Sequence, residues 1–496
     1  MTTTHEQAMN YVYQQVLQRL LSFFSRAERT ALQLMIQRMV VAAGGIERIG
    51  DYKVMAIQTG TFDSCYTLAL LRAAQLSIAG RAPATFKLRV ATLRLSGTGS
   101  LALENIHRSY SALFLYDDPR VELLMVDNRE VLPFDHLLPT SKAGDESNKL
   151  NLLMVGHCRE WNGPLDLWDD GYLATGEFYG QIARWDSGVD AMITSDTPRQ
   201  QKQFLDGLSR AAQKAGLKPP GVSATGFERL FALLDNLGDD YYREYYTDHG
   251  RVPWRPVDRF ESCRRATHID IHDMVVGTLE ERWPLLVEFL GLQSDEMAVY
   301  LSDNEYVSPA IAAHVRGLRA WHIQGCNYET GVCEYLQRAL VMMRRKRVPE
   351  RLCEQALAAF GSPAAMAEQR VLAAAEVQKS LGLTETQLIC LLFTPFVGRG
   401  AGLERFLRSC HPGMLVAMPD LHKAMQGLQA PEQVLQWMAD VSGLPVSLIC
   451  TLYRMTPKAF DDTRLPDRQS TEACSLSADE GEDDGAAVIG ELSAGR

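Results

Sequence analysis

The chain contains no Cys-x-x-Cys, no Gly-x-Gly-x-x-Gly opening a helix after a strand, no phosphate-loop lysine motif and no Gly-x-Ser-x-Gly. Standard dinucleotide loops, P-loop chemistry and the serine-hydrolase elbow are therefore disfavoured. Gly97-Thr-Gly99 lacks the third glycine and any phosphate-binding continuation. No apolar run reaches the roughly 18 residues of a membrane span. The first residues, Met1 to Gln7, offer neither a basic n-region nor an apolar h-region, so no signal peptide and no membrane partner are expected. Ten cysteines among 496 residues are neither dense nor regularly paired. Cys65, Cys390 and Cys450 sit inside apolar helix-like runs, where a reduced cysteine acts as a small hydrophobe. A reducing, cytoplasmic setting is the expectation.

What is present is ordinary in composition, 46% apolar and 22% charged, as in soluble globular proteins. The length exceeds one hydrophobic core and implies two to four domains. Residues Asp461 to Arg496 hold ten acidic and three basic side chains, a net −7 of the chain's −11, which leaves −4 for the remainder. The acidity thus argues only weakly against a nucleic-acid partner. That tail is poor in large apolar groups and reads as a disordered acidic segment.

The patterning predicts an α+β, predominantly helical protein: N-terminal helices over 1–45, an α/β or α+β domain over 46–220, an all-helical domain over 221–460 and the tail over 461–496. Leu17, Leu20, Leu21, Phe24, Leu32, Met35, Ile36 and Met39 recur at helical steps, with a break at which Ser25 caps and Glu28 completes a capping box. Strands are predicted at Tyr52–Ile57, Thr85–Leu95, Ser111–Tyr116, Val121–Val126, Leu152–Val155 and Ala191–Thr194. Helices are predicted at Phe62–Ile78 and Pro198–Ala215, and an exposed loop at Ser141–Asn148. Beyond residue 222 apolar residues recur at helical steps almost throughout, beginning with Phe227–Leu237 and then Met274–Leu292.

The clearest internal feature is a repeat. Gly382–Pro395 and Gly443–Pro457 each follow an apolar helix with a Gly-Leu turn and continue as a second apolar helix carrying Leu-Ile-Cys. A DNA-reading helix-turn-helix shares this outline, but these second helices are too apolar to face phosphate, so structural packing is the better reading. Upstream, Arg338, Arg344, Arg345, Lys346, Arg347 and Arg351 form a basic cluster able to neutralise several phosphates. A solvated helix C-terminus, where cations complement the macrodipole, accounts for the cluster equally well. The tyrosine-rich run Asp239–Asp248 carries acids that repel phosphate and suits a protein-facing surface.

Three further groups carry chemistry. Cys263, His268, His272, His322 and Cys326, with Cys333 nearby, could supply tetrahedral zinc ligands, with His268, Asp270 and His272 alternating onto one face of a strand, although the spacings match no standard finger. Asp118, Asp127 and Asp196 end strand-like runs, where carboxylates at the carboxyl ends of parallel strands could hold Mg²⁺. The turn at Asp117–Arg120 would instead make its strands antiparallel and put Asp118 and Asp127 at opposite ends. Cys158, after Leu152–Val155, is the best-placed thiol nucleophile, with His157 and Arg159 nearby and His136 or a more distant histidine needed as base.

The favoured reading from sequence is a non-enzymatic cytoplasmic regulatory or interaction protein, engaging nucleic acid (DNA before RNA) or a protein partner through its helical half, with no cofactor required. The rival is an enzyme with its site in 110–200, using strand-end aspartates or Cys158.

Overall fold

The structure is a computed structural model describing residues 2–457, apart from 96–97, 128–129, 159–168, 197, 199–200, 203, 207, 210–265, 276, 294–307 and 346–347. Two helices lead the chain, α1 (Thr2–Phe23) and α2 (Arg26–Ala42). The predicted break is real: Ser25 and Glu28 form a reciprocal capping box at the start of α2. The elements that follow are β1 (Lys53–Ile57), α3 (Phe62–Ala79), β2 (Lys87–Arg94) and α4 (Ser100–Ala112). Next come β3 (Val121–Asp127), β4 (Glu130–Pro133), α5 (Lys142–His157), α6 (Asp169–Arg184), β5 (Ala191–Thr194) and β6 (Thr267–Asp270).

The six strands are ordered β4-β3-β2-β1-β5-β6. All neighbours run parallel except β3 and β4, which are antiparallel. From β1 the chain steps outward to β2 and β3, then returns across the sheet to place β5 and β6 on the other side of β1. A parallel sheet must be covered on both faces. Here Val54, Ala56, Leu88, Val90 and Met125 pack with α1–α4, whereas Met55, Ala91, Val126 and Met192 pack with α5, α6 and helices of the C-terminal half.

Those later helices are α7 (Leu279–Trp283), α8 (Pro309–Arg319), α9 (Tyr328–Arg345), α10 (Glu350–Ala358), α11 (Pro363–Leu381) and α12 (Glu385–Phe393), followed by α13 (Leu403–Cys410), α14 (Met418–Met425), α15 (Glu432–Ser442) and α16 (Val446–Arg454). The fold is thus mixed α and β and predominantly helical, with the sheet in the N-terminal half and helices in the C-terminal half. The described residues fall in one compact unit, Met1–Thr463. The expected helix at Phe227–Leu237, the tyrosine-rich run, the far end of the helix at Pro198–Ala215 and the acidic tail lie outside the described residues.

Three local expectations are corrected. Ser111–Tyr116 closes α4 and turns toward β3, and Phe114 takes a left-handed φ of 53° there. Leu152–Val155 lies inside α5: a short apolar run fits a buried helix segment as well as a strand, and here Leu153 and Met154 are buried in a helical core. The polar stretch from Ser141 is no loop but the start of α5, because the Ser141 hydroxyl accepts from Gly144 N–H as an N-cap.

The repeated hairpins are α11–α12 and α15–α16. Gly382 (φ 64°) and Gly443 (φ 71°) make their turns, and the second pair bends by 77°. The hairpins pack on one another through Gln387, whose Nε2 donates to the Asp440 carbonyl. A Cβ on Gly443 would sit 2.9 Å from the Gln387 side chain and 3.0 Å from Leu153 of α5, so glycine permits both the φ and the approach. Leu388, Cys390, Leu391, Leu392 and Phe393 are buried, as are Leu448, Ile449 and Leu452. These second helices are packing elements in this fold.

The amino edge of the sheet is sealed by charge. Arg72 and Asp118 side chains are fully buried and meet at 2.7 Å, and Arg120 joins Asp118 at 2.6 Å. Burial pushes the Asp118 carboxyl up, but the two guanidiniums outweigh it and hold it below the ordinary range. Removing one member leaves an uncompensated buried charge, which costs about 3–5 kcal/mol. Asp118→Ala is therefore expected to lower the unfolding free energy by about that amount in urea denaturation. A loss below about 1 kcal/mol would contradict a structural role for the pair.

Candidate active site at the carboxyl edge of the sheet

In open parallel sheets the ligand crevice lies beyond the carboxyl ends of the strands, where the connections diverge to opposite faces. Here that point lies between β1 and β5. The loop after β1, Gln58–Thr61, is held by a dense polar network. Gln58 Oε1 accepts from Gly60 N–H and from the Ser64 hydroxyl, and Thr61 Oγ1 caps α3 by accepting from Ser64 N–H. Gly60 has φ +79°, and a Cβ there would lie 2.4 Å from the Ala102 carbonyl. No other residue fits, and the glycine lets the first turns of α3 and α4 lie side by side.

Past β5 and β6 the edge gathers acids and their partners. Thr67 of α3 donates to the Ser195 hydroxyl at 2.6 Å, tying β5 to α3. Asp63 meets Arg282 at 3.2 Å, and Arg282 in turn covers the Tyr66 ring at 5.0 Å. Asp270 is the most constrained carboxylate. Its Oδ1 accepts from His272 N–H at 2.9 Å and contacts His272 Nδ1 at 2.8 Å, while Oδ2 accepts from Gln201. Burial raises the Asp270 carboxyl, yet these hydrogen bonds prevail and hold it low. Asp196 behaves oppositely. It keeps solvent contact, but lost hydration raises its carboxyl; the Thr194 hydroxyl opposes this, and Asp63 and Asp270 raise it further. Two neighbouring carboxyls pushed in opposite directions are the arrangement from which acid and base roles are made.

The predicted sites disperse over this frame. Asp118 precedes β3 and Asp127 ends it, so they do lie at opposite ends of that strand, though a helix end rather than a strand leads into the turn. Asp127 and Asp196 share the carboxyl edge, but β2 and β1 lie between their strands, a separation of roughly 14 Å at the usual strand spacing. The three aspartates therefore do not converge. Cys158 does not follow a strand: it caps the C-terminus of α5, is 2% exposed and lies 3.7 Å from Met455 Sδ. Such burial suits a packing role rather than a presented nucleophile.

The zinc candidates separate as well. His272 is held by Asp270, whereas His322 stacks on Trp321 and meets Cys410 Sγ at 3.8 Å. Cys326 is exposed beside the Gln324 carbonyl, Cys333 is buried in the core, and His268 lies in β6. Cys263 lies outside the described residues. Among the described residues no group of three or more His, Cys, Asp or Glu side chains is arranged to hold a metal.

Of the basic cluster, Arg344 pairs with Glu350 at 2.6 Å and Arg351 covers the Trp283 ring at 5.5 Å. Arg338 is exposed on α9, Arg345 ends that helix, and Lys346 and Arg347 lie outside the described residues. Two of these cations thus already serve intramolecular contacts.

The chain matches no family model, no curated protein and no solved structure.

The sequence reading did pick out the Asp270 and His272 pair, but as an alternating strand face turned to zinc. It missed Gln58, Asp63, Arg94, Ser195, Gln201 and Arg282. A usable signal was present: Thr59-Gly60-Thr61 follows the β1 pattern and precedes a capped helix, and Arg94 closes an otherwise apolar strand.

Two buried histidines set an acid limit. Burial lowers both His157 and His314 to about 4; contact with Ser442 and the Glu385 charge only partly offset this. Each is neutral in the fold and titrates near 6.5 when unfolded. The unfolded chain therefore binds more protons below pH 6.5, so stability is complete above that pH and drains as pH falls toward 4. Denaturant midpoints measured from pH 7 to 4.5 should fall, and His157→Leu should flatten the slope. A loss per histidine on the order of 1–2 kcal/mol by pH 5 is expected; an unchanged profile in the variant would contradict the assignment.

Proposed function

We propose that the protein is an enzyme acting on a small polar molecule at the carboxyl edge of the sheet, with acid–base chemistry carried by His272, Asp270 and Asp196. The observation that carries this reading is the 2.8 Å contact between Asp270 Oδ1 and His272 Nδ1, beside a carboxyl with the opposite shift. Asp270 fixes the imidazole orientation and favours the tautomer that leaves Nε2 as proton acceptor. It also stabilises the imidazolium formed once a proton is taken. Asp196, raised by its surroundings, suits proton donation. The reduced cysteines suit a cytoplasmic setting.

The test is a turnover screen of the full chain against panels of small esters, amides and phosphorylated compounds, repeated with His272→Gln and Asp196→Asn. Either substitution should lower kcat by about 10²–10⁴-fold with little change in melting temperature. Activity retained in both variants would sink the reading.

A second reading keeps one observation. Arg338 is exposed on α9 and has no hydrogen-bond or ion-pair partner among the described residues, and Arg344 and Arg345 follow one further turn or two along the helix. The C-terminal end of α9 would engage nucleic acid, DNA before RNA, or an acidic protein partner. Neutralising Arg338, Arg344, Arg345, Lys346 and Arg347 should weaken binding to duplex DNA and flatten its salt dependence, by roughly 0.9 in the logarithmic slope for each phosphate left without its cation. An unchanged slope, or no binding at low salt, would remove this reading.

A further inference from the structure

On the α3/α4 face, the carboxyl edge holds buried donors with no acceptor among the described residues. Strand alternation puts Gln58, Thr92 and Arg94 on the face that carries Val54, Ala56, Leu88 and Val90, below the adjacent first turns of α3 and α4. Arg94 is 8% exposed, and its Nη1 has no hydrogen-bond partner among the described residues. Gln58 is fully buried; its Oε1 is committed to Gly60 and Ser64, and its Nε2 has no partner among the described residues. Tyr110 of α4 is also fully buried, with its phenol beside the Thr92 hydroxyl as a hydrogen-bond partner.

Two further features aim at the same place. α4 follows Gly99 and has no side-chain cap, so its leading N–H groups lack the usual acceptor. Arg94 faces Asp127, its register partner on β3. Asp127 is near enough for Arg94 to lower its carboxyl, against the larger effect of burial, yet the two form no ion pair among the described residues. Its Oδ2 instead accepts from Ser141 N–H at 3.3 Å. A buried guanidinium, an amide nitrogen and an uncapped helix start all offer hydrogen at this edge. That set suits a tetrahedral anion with several acceptor oxygens better than a planar carboxylate.

We infer that Arg94, Gln58 and the first turn of α4 form an anion subsite that takes the phosphoryl group of a small phosphorylated molecule. The inference rests on the enzyme reading for its purpose, since it names the class of substrate that the acid–base groups across the edge would act on. It does not rest on that reading for its geometry. Asp127 is the competing carboxylate, and it sets how tightly the anion is held.

The test uses the full chain, phosphorus NMR and thermal unfolding, with inorganic phosphate, ribose 5-phosphate and adenosine monophosphate as probes and chloride at matched ionic strength as control. At least one probe should broaden and raise the melting temperature; which of the three binds tightest tells what lies beyond the phosphoryl group. Arg94→Met should weaken that binding about tenfold or more, while melting no lower than wild type without the probe. Asp127→Asn should tighten it. Binding by no probe, or Arg94→Met binding as wild type does, would overturn the subsite. Should Arg94→Met fail to fold, Asp127→Asn decides: unchanged or weaker phosphate binding overturns the proposal. Arg94-dependent binding supports the subsite even where His272→Gln leaves turnover intact, a result that sinks the acid–base reading alone.

Discussion

The central constraint is the parallel pairing of β1 with both β2 and β5. A parallel neighbour cannot be reached by a tight turn, so each step needs a crossover that lays a helix on one face. Stepping outward on one side of β1 and then on the other sends the crossovers to opposite faces. That divergence buries Val54 and Ala56 against α3 while Met55 faces the helices of the other side. It also brings the chain leaving β5 against the start of α3 at the carboxyl edge, where the Thr67 hydroxyl donates to Ser195.

The two ends of the sheet are consequently treated differently. At the amino edge several strong charges have close partners: Arg72 with Asp118, Arg120 with Asp118, Arg89 with Glu122 at 2.7 Å, and Lys53 with Glu122 at 3.4 Å. Arg89, itself fully buried, also donates to the Ile182 and Trp185 carbonyls at the end of α6. At the carboxyl edge Asp196 and Arg94 have no such closure among the described residues. The ion pairs thus concentrate at the amino edge, although Arg89 Nη2 there also lacks a hydrogen-bond partner among the described residues.

Much of the frame was legible in the sequence. Ser25 and Glu28 announced the α1–α2 break, the limits of β5 were read to the residue, and the Gly-Leu turns marked both hairpins. Each rests on local chemistry: a cap, a β-branched and apolar run, a glycine in a left-handed conformation. What could not be read locally was anything set by tertiary choice. Leu152–Val155 satisfies a strand and a buried helix equally, and only the demand for a crossover between β4 and β5 makes it helix. The site was obscured for the same reason. Gln58, Arg94, Asp196 and Asp270 are scattered over more than 200 positions, and strand order alone brings them to one edge. The Asp270 and His272 pair was visible, but its meaning depended on whether the chain stays extended past Asp270. It does not: a short 3-10 turn from His272 to Met274 folds the imidazole back onto Asp270.

The hairpins and Arg94 make contrasting cases for telling architecture from activity. The hairpins explain themselves energetically. Their second helices bury Leu, Ile, Cys and Phe side chains at roughly 1.5–3 kcal/mol for each large one, Gly443 admits Leu153 and Gln387, and Gly156 admits Leu391, which a Cβ would meet at 2.9 Å. Arg94 is the reverse. A buried polar group without its hydrogen bond costs about 1–3 kcal/mol, more when charged, and the core around it would be served at least as well by an aliphatic side chain of similar reach. Stability alone therefore gives no reason for a guanidinium at that position. An anion that joins the Arg94 fork removes the penalty on binding, so the energy withheld from folding becomes affinity for the ligand.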